Sequence, residues 1–311
     1  MDFFLTELVN GLTLGSVYAL IALGYSMIYG ILKLLNFAHG DVYMIGAYVG
    51  YGIVTVFGGP LKLSIPLALL LVLMFLASML GAGLLGVVIE RFAYRRLRNA
   101  PRIAPLITAL GVSFFLESSA LLLFGAQYRS LDTFDLGGGA LFAHGIHITA
   151  GVYVALSRII VIVGAVVLMV VLTLLVQRTQ LGKAMRATSF DREAASMMGI
   201  DVDKVIVATF FIGSALAGAA GVMQGLVFGT INSYMGFVAG LKGFTAAVIG
   251  GIGYIPGAMA GGMLLGLIEA YVAGSEHIGN TFVDVVTLSI LVLVMLIRPS
   301  GLFGKATIQK V

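Results

Sequence analysis

Polar side chains are scarce here, so the few that interrupt apolar runs carry whatever chemistry the chain has. In "NFAHGDVYM", residues 36–44, Asn36, His39 and Asp41 stand together between two apolar runs. An imidazole two residues from a carboxylate is the beginning of a proton relay or a metal site, since ionisable groups at membrane depth are usually functional. The same residues also read as helix punctuation: Asn36 ends one helix, and Gly40 with Asp41 opens the next, the carboxylate lying at the positive end of its dipole. One His and one Asp are too few ligands for a metal. Glu117, Gln224, Lys242, Glu269 and Asp284 are the remaining polar side chains within or at the ends of apolar runs. A buried carboxylate needs a partner whether or not it touches a substrate, so these residues either line a pathway or pair inside a bundle. Lys242 with one of the acids is the obvious pair. No G-x-S-x-G elbow, H-E-x-x-H or P-loop is present, because "LGKAM" and "FGKAT" lack the upstream glycine spacing and the Ser or Thr. The reading is a non-enzyme without catalytic residues, cofactor or metal, in which any ATP is bound by another chain.

The elements that position these residues are membrane spans. Of 311 residues, 60% are hydrophobic and 10% charged, against about 25% charged in ordinary globular domains, and the mean hydropathy is +1.09. Uncharged runs cover 8–32, 42–61, 63–89, 159–177, 205–241 and 243–268, with two more, 103–128 and 281–297, interrupted by Glu117 and Asp284. Each approaches the roughly 20 residues that a helix needs to cross a bilayer core. Continuous runs exclude a barrel, whose strands alternate apolar and polar residues. The fold class is therefore an all-α polytopic membrane protein of about nine transmembrane helices, with eight as the alternative. Broken or re-entrant helices are expected near 36–41 and 238–256, where Gly250, Gly251, Gly253, Pro256 and Gly257 interrupt an apolar setting. Such interruption is tolerated at depth only where protein or a water-filled cavity satisfies the freed backbone.

The basic residues set the orientation. "RFAYRRLRNAPR" at 91–102, the region around 177–204 and the tail from Arg298 are basic, and the positive-inside rule makes all three cytoplasmic. The first span then runs inward from an acidic outer N-terminus, "MDFFLTELVN", whose charge is wrong for a cleaved signal peptide. The fourth span leaves near Ile103, a Gly-rich outer loop follows from Tyr128, the fifth returns over 152–176, and the sixth runs from Val205 to about Gly229. Three crossings over 238–253, 255–273 and 281–297 bring the tail inside. This topology puts 14 of the 18 Lys and Arg residues on the cytoplasmic side, Lys305 and Lys310 among them. Nucleic acid is not implied, and the lipid bilayer is. Small residues at four-residue spacing (Gly11, Gly15, Ala19; Ala217, Gly221, Gly225, Gly229; Gly253, Gly257, Gly261) predict tight helix contacts.

The stretch "RATSFDREAASMMGIDVDK", 186–204, reads as a short capped helix. Asp191 caps residues 192–198, Glu193 suits the dipole of the first turn, Gly199 stops the helix and Asp201 caps the next span. Ala194, Ala195, Met197 and Met198 give it an apolar surface of low bulk. Facing cytoplasm, that surface either docks into another protein's groove or lies on the membrane.

"EAASMMG" at 193–199 resembles the EAA motif of permease subunits in bacterial ABC importers. The stretches 10–48, 181–187 ("LGKAMRA") and 236–262 look like the LivH-type permease of branched-chain amino acid importers, and the likeness spans essentially the whole chain. The resemblance implies a single permease domain, 1–311, with a cytoplasmic coupling loop at about 178–204, in a bacterial plasma (inner) membrane. It implies a heterodimer with a LivM-like second permease, two cytoplasmic ATP-binding subunits and a periplasmic amino-acid-binding protein. Glu193, Ala194, Ala195 and Gly199 would be the ATPase-coupling residues, although "GIDVDKVIVA" lacks the Leu-Pro pair that ends the longer consensus. Related permeases carry urea, short amides or other amino acids on a similar scaffold. The rival from another class is a stand-alone ion-coupled secondary transporter.

Overall fold

A computed structural model describes residues 2–58, 66–98, 100–101, 103–131, 145–149, 152–275 and 279–304. Residues 132–144 of the expected outer loop, and the basic residues Arg102, Lys305 and Lys310, lie outside the described residues. The chain is a helical bundle: α1 (Asp2–Leu32), α2 (His39–Gly58), α3 (Leu67–Ile89), α4 (Ile103–Phe124), α5 (Leu156–Arg178), α6 (Gln180–Phe190), α7 (Arg192–Met197), α8 (Val202–Phe228), α9 (Met235–Gly250), α10 (Ile255–Gly274) and α11 (Val283–Ile297). Among the described residues eight helices are long and apolar enough to cross a membrane, and α9 is a shorter apolar helix beside them. The count of nine or eight thus turns on α9 alone.

Central to the bundle is α1, buried on every side from Ser16 to Ile28, whereas the more apolar α3 and α5 leave most of their surface unburied, as helices that face lipid can. It runs antiparallel to α10 through the glycines: a Cβ on Gly11 would stand 2.7 Å from the Leu267 Cα, and one on Gly15 2.9 Å from the Met263 Cα. Between surfaces that lipid wets as well as protein does, such backbone approach supplies the dispersion contacts that hold helices together. On the other side, α8 packs on α2 and α3. Ser78 of α3 bridges the three helices, its hydroxyl reaching the carbonyls of Gly46 at 2.7 Å and Gly218 at 2.8 Å. The expected small-residue stripes fulfil this role at Gly11, Gly15, Gly221, Gly257 and Gly261, but Gly225 meets only the Ile231 and Leu131 side chains at ordinary contact distance, and two stripe ends do other work. Gly229 (φ 66°) is the left-handed cap of α8, and Gly253 (φ 89°) lies in the turn between α9 and α10.

Two local expectations are corrected. Residues 152–155 do not begin the fifth span: Val152–Ala155 pairs as β3 with β2 (Gly145–Thr149) in an antiparallel ribbon, as a β-branched and aromatic Val-Tyr-Val run favours. Nor does Asn36 end a helix. α1 stops at Leu32, Lys33 takes φ 55°, and the Asn36 carbonyl accepts from the His39 N–H at 3.1 Å to start the turn into α2. A second small ribbon, β1 (Arg129–Ser130) with β4 (Thr230–Ile231), joins the ends of α4 and α8.

Lys33, Arg95, Arg98, α6, α7 and the start of α8 gather at one end of the bundle, hereafter the basic end. α3 continues there as a π-helical turn, Glu90–Tyr94, and a 3₁₀ turn, Arg95–Leu97. Buried Glu90 pairs with Arg98, which also pairs with Asp203, and Arg95 meets the same Asp203 at 2.5 Å.

Candidate functional site

The re-entrant expectation near 36–41 is realised as a return of the chain into the bundle. From Lys33 at the basic end it folds back, so that α2 begins not at the surface but at the depth of Gly24 and Gly213, both interior to long helices. A Cβ on Gly24 would run into the His39 ring, and the Tyr25 ring meets that imidazole edge-on at 4.8 Å. Gly40 lets α9 approach, a Cβ there standing 2.7 Å from the Gly240 Cα. His39 and Asp41 are 0% and 1% exposed, so both expected ionisable groups lie at depth. Asn36, equally buried, accepts from the Tyr94 hydroxyl at 3.0 Å. Asp41 accepts from Ser113 of α4, one turn before Glu117, which is half-buried. The imidazole faces the Ile21 carbonyl without reaching hydrogen-bond geometry, and Asp41 Oδ1 also has no partner. His39 and Asp41 are thus brought to one buried interface, and among the described residues no group of three His, Cys, Asp or Glu could hold a metal.

A cavity of about 460 Å³ opens between α1, α8, α9, α10 and α11, toward the end opposite the basic one. The choice of partner for Lys242 is resolved here. Its ammonium lies 3.1 Å from Glu269 Oε2 and 3.0 Å from Asp284 Oδ1. Glu269, 4% exposed, also accepts from the Tyr18 hydroxyl at 2.8 Å and from the Thr287 hydroxyl at 2.9 Å. A carboxylate taken from water is stable only when its lone pairs are met, and three donors meet them here. Gln224, Tyr43 and Asn232 add polar groups, while Leu14, Val238 and Val283 form an apolar wall. Size and lining suit a small polar solute that carries an aliphatic group. Tyr18 and Thr287 were not legible as site residues, because each looks like ordinary filling of an apolar helix until the fold brings it to Glu269.

The 192–198 helix forms largely as its sequence dictates. Asp191 Oδ1 accepts from the N–H groups of Glu193 at 2.9 Å and Ala194 at 3.0 Å, Gly199 turns with φ 83°, and Asp201 Oδ1 accepts from the Lys204 N–H at 3.1 Å. Bonds to the Lys204 side chain and backbone hold the Asp201 carboxyl below its ordinary range. The apolar surface is differently composed than expected. Ala195 turns inward, 4% exposed, while Met197, Met198 and Phe190 stand 88%, 83% and 95% exposed beside exposed Glu193 and Ala194. Arg192 ties the helix to the bundle, donating to the Ile31 carbonyl from Nε at 3.1 Å and Nη2 at 2.7 Å.

Residues 7–297 match the family described as the branched-chain amino acid transport system permease component. Over 308 residues the chain is 44% identical to the high-affinity branched-chain amino acid transport system permease protein BraD of Pseudomonas aeruginosa, covering 99% of this chain and 98% of that one. It is 42% identical over 310 residues to the corresponding LivH of Escherichia coli, with the same coverage. With the bundle of apolar crossings and a match over nearly its whole length, this chain belongs to the branched-chain amino acid transport permease family.

Proposed function

We propose that the chain is the permease subunit of an ABC importer that carries branched-chain amino acids (Leu, Ile, Val) across the plasma membrane, driven by ATP hydrolysis on partner subunits. α7 carries this reading: a capped helix presenting Glu193, Ala194, Met197 and Met198 to solvent at the basic end, while Arg192 fastens it to the last turn of α1. A rigid element so exposed and so fastened transmits a push from a docked ATPase to the centre of the bundle. Ala195 and Gly199 then serve by seating and ending the helix, and Glu193 and Ala194 by touching the partner.

The basic end is cytoplasmic on this reading, with the N-terminus outside and the C-terminus inside. Residues 1–311 act as one permease domain with its coupling loop at about 178–204. A second, LivM-like permease, two ATP-binding subunits and a periplasmic amino-acid-binding protein complete the importer. The 460 Å³ cavity then faces the side from which a binding protein delivers substrate. On this reading Lys242 meets an amino acid's carboxylate, Glu269 its ammonium, and the Leu14, Val238 and Val283 wall its side chain, with Gln224 in the same lining. Asn36, His39, Asp41 and Glu117 lie further along the same route.

The test is uptake by the full chain reconstituted in liposomes with the subunits that co-purify. ATP-dependent uptake of labelled leucine, competed by isoleucine and valine and not by urea, is expected, as is its loss in Glu193→Lys. Gradient-driven uptake by the isolated chain, or ATP-coupled uptake unchanged in Glu193→Lys, would overturn the proposal.

A further inference from the structure

At the basic end, between the last turn of α1, the turn joining α3 to α4 and the end of α6, lies a second cavity of about 320 Å³. Its wall carries Lys33, Arg98, Arg192 and Thr188. Arg98 is neutralised by Glu90 and Asp203, yet its Nε–H is buried without an acceptor. Lys33 and Arg192 make no ion pair among the described residues. The bonds from Arg192 to the Ile31 carbonyl orient its guanidinium without cancelling the charge. Thr188, 1% exposed, has a hydroxyl with no partner.

Two cations without a counter-charge share one cavity with a free N–H and a free hydroxyl. Burial first and then repulsion hold both cations below their ordinary pKa, Lys33 against Arg192 and Arg192 against Arg98. The backbone is also under constraint, because Lys33 is the one non-glycine residue with positive φ among the described residues. Such a conformation costs on the order of 1 kcal/mol or more and persists only where its surroundings hold it. An anion with several acceptor oxygens would satisfy all these groups together.

We propose that this cavity is a binding site for a phosphate group, held by Lys33, Arg192, the Arg98 Nε–H and the Thr188 hydroxyl. Guanidinium and ammonium donors around a tetrahedral oxyanion form the strong, charge-assisted class of hydrogen bond. The phosphate comes either from the headgroup of an anionic phospholipid, since the cavity borders α4 with its exposed Ile103 and Ile107, or from free phosphate. Because Arg192 begins α7, an occupied site clamps that helix to the end of α1.

The experiment measures the unfolding midpoint of the purified full chain, with whatever subunits co-purify, against two probes. One is inorganic phosphate titrated against chloride at matched ionic strength, and the other is nanodiscs of phosphatidylglycerol compared with phosphatidylcholine. Saturable stabilisation by the lipid assigns a headgroup, and saturable stabilisation by inorganic phosphate assigns the free anion. In either arm Lys33→Gln and Arg192→Gln weaken binding about tenfold each, the loss of one charge-assisted bond. Thr188→Val, which removes a hydroxyl unpartnered in the empty site, leaves the unliganded midpoint unchanged and weakens binding about threefold. Absence of stabilisation in both arms overturns the site, as does equal weakening in Arg298→Gln, which lies away from the cavity.

Discussion

Replacing Lys242 by methionine tests whether the polar cluster around Glu269 is held by its charges. The substitution keeps most of the side chain's volume and removes the ammonium 3.1 Å from Glu269. At an effective dielectric constant of about 20, the attraction over that distance is roughly 5 kcal/mol before desolvation. Leaving one member of a buried pair alone typically costs about 3–5 kcal/mol. Two features set this pair toward the low end: the Tyr18 and Thr287 hydroxyls still donate to Glu269, and Lys242 itself is 16% exposed to the cavity. Asp284, 69% exposed, adds little because water screens it. The expected loss is about 3 kcal/mol for Lys242→Met, with most of it recovered in Lys242→Met/Glu269→Gln, a coupling of about 2 kcal/mol. Equilibrium unfolding by SDS in mixed micelles, followed by far-ultraviolet circular dichroism because the chain has no Trp, measures each corner of the cycle. A coupling below about 0.5 kcal/mol would refute the reasoning and show the pair to be solvated.

Gly266→Ala should destabilise the bundle by about 1–3 kcal/mol, since the new Cβ would stand 2.7 Å from the Gly11 carbonyl oxygen and force α1 from α10. Gly164→Ala, which meets only a flexible Met223 methyl at 3.2 Å, should be neutral or stabilising in the same SDS titration. At Gly199, where φ is 83° and space is open, Val should cost about 1–2 kcal/mol by backbone strain alone and Asn much less, read as hydrogen-exchange protection of residues 192–198. Asp201→Asn keeps the cap but not the charge. Because bonding to Lys204 lowers the Asp201 pKa below 3.8, its extra stability is present above that value and is lost as pH falls through the lowered one. The unfolding midpoints of the two proteins should therefore differ at neutral pH and converge on acidification below about pH 4.

Whatever depends on local sequence was legible in advance: the apolar crossings, the caps at Asp191 and Asp201, the stop at Gly199 and a short crossing expected over 238–253 that forms over Met235–Gly250. Depth was legible only as one of two readings: His39 and Asp41 serve equally as helix punctuation or as ionisable groups of a re-entrant turn, and the approach of Gly24, Gly213 and Gly240 decides for the second. The partner of Lys242 was hidden, since Glu117, Glu269 and Asp284 differ little in one dimension. Ala195 reads as surface in the sequence because a helix of six residues has too little periodicity to fix its buried face. Tyr18 and Glu269 stand 251 residues apart, and no local pattern joins them.

The burial of α1 bears on how the protein is made. Its closest companions, α8 and α10, follow it by well over a hundred residues. At roughly 5–20 residues per second, a ribosome needs on the order of ten seconds or more to deliver them. Throughout that interval the helix that ends at the centre of the bundle lacks the two neighbours that later cover most of its glycines. An amphipathic helix would be stranded without them. A uniformly apolar one is at home first in the bilayer and later in the protein, exchanging one oily solvent for another, so that the slowest partner in the chain sets the pace of assembly.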